Sequence, residues 1–155
     1  MTLTLEQFNQ CINDLYEQSR QIHDRWQLVK AAKGSYLVYS FTDSDCLKYD
    51  IHVVFSESYS VPVLYFNISR LDGSLLSLDE IWNRFKHRES STMYETLTQQ
   101  EHPILQRPFF VLHPCHTDKV LRGVADQPAK KRFLFWLSIY GQSIGLPVSV
   151  NYAMD

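Results

Sequence analysis

The chain has 155 residues, of which 45% are hydrophobic and 21% are charged, and its formal net charge is −2. This length fits one domain with a sizeable core, and the composition excludes an intrinsically disordered chain. No basic excess favours a nucleic acid partner, and no apolar run is long enough to span a membrane. We therefore expect a single domain over residues 1–155, with no nucleic acid partner and no stable membrane anchor.

Three cysteines bear on the cellular compartment: Cys11, Cys46 and Cys115. The opening stretch MTLTLEQFNQ is not a secretory signal peptide. An odd number of cysteines without such a signal predicts reduced thiols in the cytoplasm. Cys11 and Cys46 lie in periodic apolar segments, so we expect both to be buried and inert.

The first predicted element is a helix that begins at a capping box of Thr4 and Gln7 and is broken at Gly34. Its apolar residues recur at helical spacing: Leu5, Phe8, Ile12, Leu15, Tyr16, Ile22, Trp26 and Val29. This spacing predicts one apolar stripe along the helix, packed against the rest of the domain.

Three strands follow, and their short connections predict an antiparallel meander. Their sequences are YLVYSF, CLKYDIHVVFS and VPVLYFNIS. In the second strand Lys48, Asp50 and His52 alternate with apolar residues, which predicts one buried and one polar face. The third strand is apolar on both sides, so we expect it at the centre of the sheet, with Pro62 near its start.

The remaining elements are a short helix, a loop, an extended run and a last helix. Ser77 and Glu80 form a second capping box, which predicts the short helix. Residues 87–101 lack periodicity and are predicted to form a long surface loop. The last helix is predicted to begin near Pro128. Its apolar stripe consists of Phe133, Trp136, Leu137, Tyr140 and Ile144.

The segment FFVLHPCHTDKV places Cys115 just after the short apolar run Phe109–Leu112. Pro114 disfavours helical geometry at His113, and its ring fixes its own φ. The chain is therefore expected to leave the sheet here, with Cys115 on the loop past a strand end. Such a position, with rigid support behind and open solvent in front, suits a nucleophile. A nearby imidazolium would favour the reactive thiolate.

Three other roles stay open for Cys115. A lone cysteine is commonly buried and inert. His102, His113 and His116 could join it in a zinc site, although the two separate ligand pairs typical of structural zinc are missing. A Cys–His hydrolase would need a distant histidine, and the pattern selects none. The candidates for that role are His23, His52 and His87.

The order of the predicted elements and the cysteine resembles the ubiquitin-conjugating fold. Three segments are more specifically similar to the autophagy E2-like conjugating enzymes: YDIHVVFSESYSVPVLYFNISRLDG, TQQEHPIL and FFVLHPCHT. The resemblance covers about residues 36 to 150. It implies an α+β fold, in which an antiparallel meander is flanked by an N-terminal and a C-terminal helix.

The resemblance also implies a reaction. An activating enzyme holds a ubiquitin-like modifier as a thioester, Cys115 takes the modifier over, and an acceptor amine then attacks the new thioester. The implied partners are the modifier, its activating enzyme and an acceptor protein that binds directly, and no metal or cofactor is implied on this chain. The implied compartment is the cytoplasm, and recruitment to the site of autophagosome formation stays open.

Ordinary ubiquitin-conjugating enzymes carry a His-Pro-Asn several residues before the cysteine, whereas here the tripeptide ends in Cys115 itself. Another group must then steady the oxyanion or the loop. The resemblance leaves as candidates His113 beside the cysteine, the hydroxyl of Thr117, and Tyr49 and Asn67 on neighbouring strands. Tyr49 could equally be a cross-strand packing residue, and Asn67 a hydrogen-bonded strand-end residue.

Two alternative functions stay open beside transfer to a protein lysine. One branch of the family passes its modifier to the amine of phosphatidylethanolamine, and a non-catalytic adaptor would only bind modifier and acceptor. The first thirty residues mix acidic and basic side chains, which gives no attraction to an anionic lipid surface. The presence of Cys115 argues against the adaptor. A protein lysine is therefore the expected acceptor.

Overall fold

The computed structural model describes residues 3–85 and 97–153, which form an antiparallel sheet with flanking helices. The strands are β1 Gln27–Ala31, β2 Gly34–Thr42, β3 Lys48–Ser56, β4 Val61–Ser69, β5 Leu97–Glu101 and β6 Pro108–Leu112. The helices are α1 Leu5–Gln21, α2 Leu78–Phe85, α3 Thr117–Arg122 and α4 Ala129–Ser143. The strand order is β1-β2-β3-β4-β6-β5 with every pairing antiparallel, so the predicted α+β fold and meander are confirmed.

The odd-numbered residues of β3 face the helices, as the alternating pattern predicts. Tyr49 lies against Phe85 of α2, and Phe55 lies 5.3 Å, between ring centroids, from Phe8 of α1. Between them Ile51 and Val53 are fully buried. Burial of a large aliphatic side chain contributes about 1.5–3 kcal/mol, so this face of the sheet anchors the helices. The same core contains residues of the terminal helices: Phe8, Ile12, Leu15, Phe133, Trp136 and Leu137.

β4 lies inside the sheet, between β3 and β6, as its apolar character on both sides predicts. Pro62 is its second residue and pairs with Phe55. Because β4 is antiparallel to both neighbours, its first residues lie at the same end of the sheet as the last residues of β6. Leu64 accordingly pairs with Leu112, at the end of β6. This arrangement brings the turn between β3 and β4 close to the segment that carries Cys115.

The predicted extension of the first helix to Val29 is wrong. α1 ends at Gln21, and Val29 lies in β1. The chain reverses at His23, whose positive φ of 58° is incompatible with a continuing helix. Trp26 is still buried, against Tyr39, but it reaches the core from a loop. The apolar spacing therefore continues past the helix because these side chains fill the same core.

The predicted loop over residues 87–101 is wrong at its end. Residues 97–101 form the edge strand β5, paired with β6, while residues 87–96 lie outside the part of the chain that the structure describes. An edge strand needs pairing and one covered face rather than an apolar sequence, and charged or polar residues protect its open side. The polar sequence TQQE therefore has no apolar pattern from which a strand could be predicted.

Both predicted capping boxes are confirmed. The backbone N–H of Gln7 donates to the Thr4 hydroxyl at 3.0 Å, and the Thr4 N–H donates to the Gln7 side chain at 3.0 Å. At α2, the N–H of Glu80 and the N–H of Ser77 make the corresponding reciprocal bonds at 3.2 and 3.0 Å. Pro128 is the N-cap of α4, one residue before the predicted first position. Local capping chemistry therefore fixes where these helices begin.

Candidate active site

Cys115 lies where the sequence predicts, on the turn just past β6. The backbone of His113 is extended, with φ −57° and ψ 136°, and Pro114 opens the short 3-10 turn Pro114–His116. Pro114 is buried, whereas Cys115 is exposed. The Cys115 thiol contacts the His113 carbonyl oxygen at 4.0 Å, a long contact even for sulfur. The thiol is therefore accessible, and the turn beneath it is held by a packed proline.

The other two cysteines differ from each other. Cys11 is buried in α1, as predicted, and burial followed by the nearby Asp14 raises the pKa of its thiol to about 11. The prediction that Cys46 is buried is wrong. Cys46 is exposed at φ 63° in the turn before β3, where Asp43 accepts the backbone N–H of Leu47 at 3.0 Å. Turn chemistry, rather than the apolar residues beyond it, decides the position of Cys46.

We expect brief treatment with iodoacetamide near pH 7.5 to alkylate Cys115 and Cys46 but not Cys11. The two exposed thiols meet the reagent directly, whereas the Cys11 thiol is both shielded and held protonated, and only a thiolate reacts. Mass spectrometry of tryptic peptides over a time course measures the three rates. A Cys11 rate equal to that of the other two would contradict the burial of the α1 thiol.

Tyr59 joins the site from the turn between β3 and β4. Its ring centroid lies 5.5 Å from that of His113, at an interplanar angle of 82°, which is an edge-to-face contact. Its side chain remains 49% exposed. The sequence pattern did not indicate Tyr59, because the contact depends on β4 pairing with β6, a strand more than forty residues later in the chain. The aromatic in the short turn SESYS was the available signal.

The Thr117 hydroxyl donates its one proton inside the fold, which corrects its candidacy as an oxyanion donor. Thr117 is buried, and its hydroxyl donates to the Tyr140 hydroxyl of α4 at 3.1 Å. Burial raises the pKa of Tyr140, the hydrogen bond from Thr117 opposes this, and negative charge on Cys115 or Asp118 raises it further. The pair therefore ties the Cys115 turn to α4 as a neutral hydrogen bond inside the fold.

The Tyr49 hydroxyl belongs to a hydrogen-bonded cluster around Arg84. This hydroxyl accepts a hydrogen bond from Arg84 Nε at 3.0 Å, and Arg84 Nη2 donates to Asp43 at 2.5 Å and to Asp45 at 2.8 Å. The hydrogen bond to Tyr49, followed by that to Asp45, raises the pKa of Arg84, which stays charged. This cluster fastens α2 to β3 and to the turn that precedes it.

Asn67 also lies away from Cys115, at the far end of β6. Its amide donates to the Pro108 carbonyl at 3.2 Å, and its carbonyl oxygen is buried without a partner among the described residues. Pro108 precedes Leu112 by four residues, or about 13 Å at about 3.3 Å per residue. Asn67 pairs with Asp50, whereas Tyr49 pairs with Ile68, so Tyr49 and Asn67 point to opposite faces of the sheet. The structure brings neither to Cys115; it brings His113.

His52 and His102 form a buried hydrogen-bonded relay with Asp50. His102 Nδ1 accepts the backbone N–H groups of Ile104 and Leu105, each at 3.1 Å. His102 Nε2–H therefore donates to His52 Nδ1 at 3.0 Å, and His52 Nε2–H donates to Asp50 at 2.9 Å. His52 and Asp50 share one face of β3, as the alternation predicts, but the His52 side chain is buried.

The relay leaves His102 with no free nitrogen for a metal beside Cys115. Burial, followed by the charge of His52, lowers the pKa of His102 to about 4. Burial alone would raise the pKa of Asp50, but the hydrogen bond and charge of His52 lower it on balance. Within residues 3–85 and 97–153, no three His, Cys, Asp or Glu side chains are placed to hold a metal ion.

The comparisons with known proteins agree with this geometry. The family model described as "Autophagocytosis associated protein, active-site domain" matches residues 35–151, well over half of the chain. The chain belongs to this family. The match includes β2 to β6, the turn with Cys115 and α4. The resemblance to the autophagy conjugating enzymes is thereby confirmed.

Curated proteins of the same autophagy family show the same similarity. The chain is 44% identical to the ubiquitin-like-conjugating enzyme ATG10 of Homo sapiens over 119 residues, covering 71% of this chain and 54% of the relative. It is 37% identical to the enzyme of the same name in Dictyostelium discoideum over 120 residues, covering 64% and 51%. The chain thus spans about half the length of the curated relatives it matches.

Two solved structures share the fold of this chain. "Crystal structure of Autophagic E2, Atg10" aligns with a TM-score of 0.73 at 15% identity, covering 95% of this chain and 99% of that one. "Solution structures of KmAtg10" aligns with a TM-score of 0.61 at 18% identity, covering 94% and 97%. None of the helices in the described residues has the length and apolar character needed to cross a membrane.

Proposed function

We propose that this chain is an E2-like conjugating enzyme of autophagy, with Cys115 as the nucleophile that carries a ubiquitin-like modifier. The observation that carries the proposal is the exposed Cys115 on a proline-held turn, inside a matched active-site domain. His113 is the proposed partner of the thiol, because its carbonyl contacts the Cys115 thiol and only Pro114 separates the two residues.

The reaction consists of two acyl transfers. The Cys115 thiolate attacks the carbonyl of the thioester on the activating enzyme, so that a new C–S bond forms and the thiolate of the activating enzyme leaves. An acceptor amine then attacks the Cys115 thioester, a C–N bond forms, the amine loses a proton and the Cys115 thiolate leaves. Each tetrahedral intermediate needs hydrogen-bond donors for its oxyanion. Tyr49 and Asn67 are not proposed as those donors. The Tyr49 hydroxyl is hydrogen-bonded to Arg84, and the Asn67 amide is hydrogen-bonded to the Pro108 carbonyl.

The proposed partners follow from the similarity to autophagy-related protein ten. The modifier is autophagy-related protein twelve, and the acceptor is a lysine of autophagy-related protein five, reached by direct binding without a separate ligase. The names of the relatives, ubiquitin-like-conjugating enzyme, support a modifier and an activating enzyme as partners. The proposed location is the cytoplasm, with recruitment to the site of autophagosome formation.

Reconstitution tests the proposal. The protein is mixed with activating enzyme, modifier and ATP, and a non-reducing gel is expected to show an adduct that thiol reagents remove. The charged protein is then offered both the acceptor protein and liposomes containing phosphatidylethanolamine, and we expect discharge to the protein. Discharge to the lipid alone would assign the chain to the lipid-conjugating branch. Binding of modifier and acceptor with no adduct at all would identify a non-catalytic adaptor.

A further inference from the structure

Tyr59 and His113 form a ring contact next to the turn that carries Cys115. Single exposed aromatic side chains are ordinary on protein surfaces. Tyr59 differs because its ring meets, edge to face, the residue two positions before the proposed nucleophile. The contact joins two segments that are far apart in sequence and that lie at the same end of the sheet.

The turn that presents Tyr59 is held from two sides. The Tyr59 backbone N–H donates to the Ser56 hydroxyl at 3.3 Å. The Leu3 backbone N–H donates to the Ser60 carbonyl at 3.0 Å, and Leu3 itself is buried. Val61, which follows, is buried and pairs with Ser56. The backbone that carries the Tyr59 ring is therefore restrained on both sides by hydrogen bonds and strand pairing.

The path from His113 to the thiol is short and stiff. One residue separates them, and that residue is Pro114, whose φ is fixed by its ring and whose side chain is buried. The contact of the thiol with the His113 carbonyl, at 4.0 Å, is too long to hold the sulfur by itself. A contact that restrains His113 therefore also restrains the backbone that carries Cys115.

We propose that Tyr59 is a positioning residue for Cys115, acting through the ring of His113. This inference rests on the proposed function for its consequence in catalysis. Tyr59 takes no part in bond making; it limits the orientations of the Cys115 turn in both acyl transfers. The interaction energy of an edge-to-face aromatic pair of this kind corresponds to a change of roughly two- to tenfold in a rate or equilibrium constant. The ring rather than the hydroxyl makes the contact, so phenylalanine should replace tyrosine.

Single-turnover loading of Cys115 tests the proposal. We expect Tyr59→Leu to lower the maximal loading rate roughly two- to tenfold, with the half-saturating concentration of charged activating enzyme unchanged. Tyr59→Phe should load like wild type. His113→Leu should be slowed, and the double variant should be no slower than His113→Leu alone, because Tyr59 acts through that ring. Leu71→Ala, at an 86% exposed leucine after β4, is the matched surface control.

Nuclear magnetic resonance separates this inference from the proposed function, because it needs no transfer. In Tyr59→Leu, the ring protons of His113 and the backbone amide of Cys115 should both shift, and in Tyr59→Phe neither should. Wild-type loading by Tyr59→Leu, or an additive loss in the double variant, would overturn the positioning role. An unmoved Cys115 amide would overturn it as well. If the wild-type protein forms no adduct, the proposed function fails, and the two resonances alone decide whether Tyr59 positions Cys115.

Discussion

Replacing Cys115 with serine should abolish the thiol-sensitive adduct with the modifier. The serine hydroxyl is almost fully protonated near neutral pH, whereas a thiol supplies a reactive thiolate. At most a slower oxyester should form, and it should survive thiol reagents yet yield to mild base. The exposed turn tolerates the substitution, because within the described residues the hydrogen-bond contact of this side chain is the weak one with the His113 carbonyl. Non-reducing gels with and without a thiol reagent distinguish the two adducts.

The two other cysteines supply the controls for this result. Cys46→Ser changes an exposed thiol on a different turn and should load like wild type. Cys11→Ser should also load, at a temperature where it is folded, although burying a hydroxyl in α1 costs about 1–3 kcal/mol. If Cys115→Ser formed a thiol-sensitive adduct at the wild-type rate, another cysteine would be the carrier. Loss of loading in Cys46→Ser alone would point to that residue instead.

The features that could be predicted from the sequence are those decided locally. Capping boxes at Thr4 and Ser77 act within one helical turn, and Pro114 acts on its immediate neighbours. The alternation along β3 also predicted which of its residues form the core. Where a local pattern was overruled, as at Trp26, the reason was tertiary: the indole is buried from a loop because the core has room for it there.

The composition of the site could not be predicted in the same way, because it depends on strand register. Tyr49 and Asn67 lie on adjacent strands, but a shift of one residue reverses the face to which a side chain points. In the observed register Asn67 points to the same face of the sheet as Asp50, and Tyr49 points to the same face as Ile68. The link between Tyr59 and His113 likewise requires that β6 insert between β4 and β5. Neither the register nor this strand order is encoded in the spacing of apolar residues.

Acidification from pH 6.5 to pH 4 should destabilise the fold, and His102 should account for a large part of the loss. The pKa of its imidazole is lowered from 6.5 to about 4 in the folded protein, mainly by burial and then by His52. As pH falls through this window, the unfolded chain takes up a proton at His102 before the folded chain does. The free energy of unfolding therefore falls, by up to about 3 kcal/mol, and well above pH 6.5 this group contributes no dependence.

His102→Gln is the variant that tests this assignment. Glutamine has one carbonyl to accept from the N–H groups of Ile104 and Leu105, and an amide to donate to His52, so the relay is weakened rather than removed. Near pH 7 we expect a loss of about 1–3 kcal/mol, because the glutamine amide cannot reproduce all three hydrogen bonds of the imidazole at their present lengths. Between pH 6.5 and 4 the variant should lose less than wild type, because glutamine has no proton to gain.

Urea unfolding of both proteins at several pH values from 7.5 to about 4 measures the difference between the two curves. Groups far from position 102 contribute equally to both curves and cancel in that difference. Asp50 contributes little above about pH 5, because its ordinary pKa is 3.8 and its pKa is lowered further in the folded state. The two stability curves should converge as pH falls, since only the wild type carries the titrating imidazole. Parallel curves across the whole range would show that His102 gains its proton as readily in the folded protein as in the unfolded chain, and would contradict the buried relay.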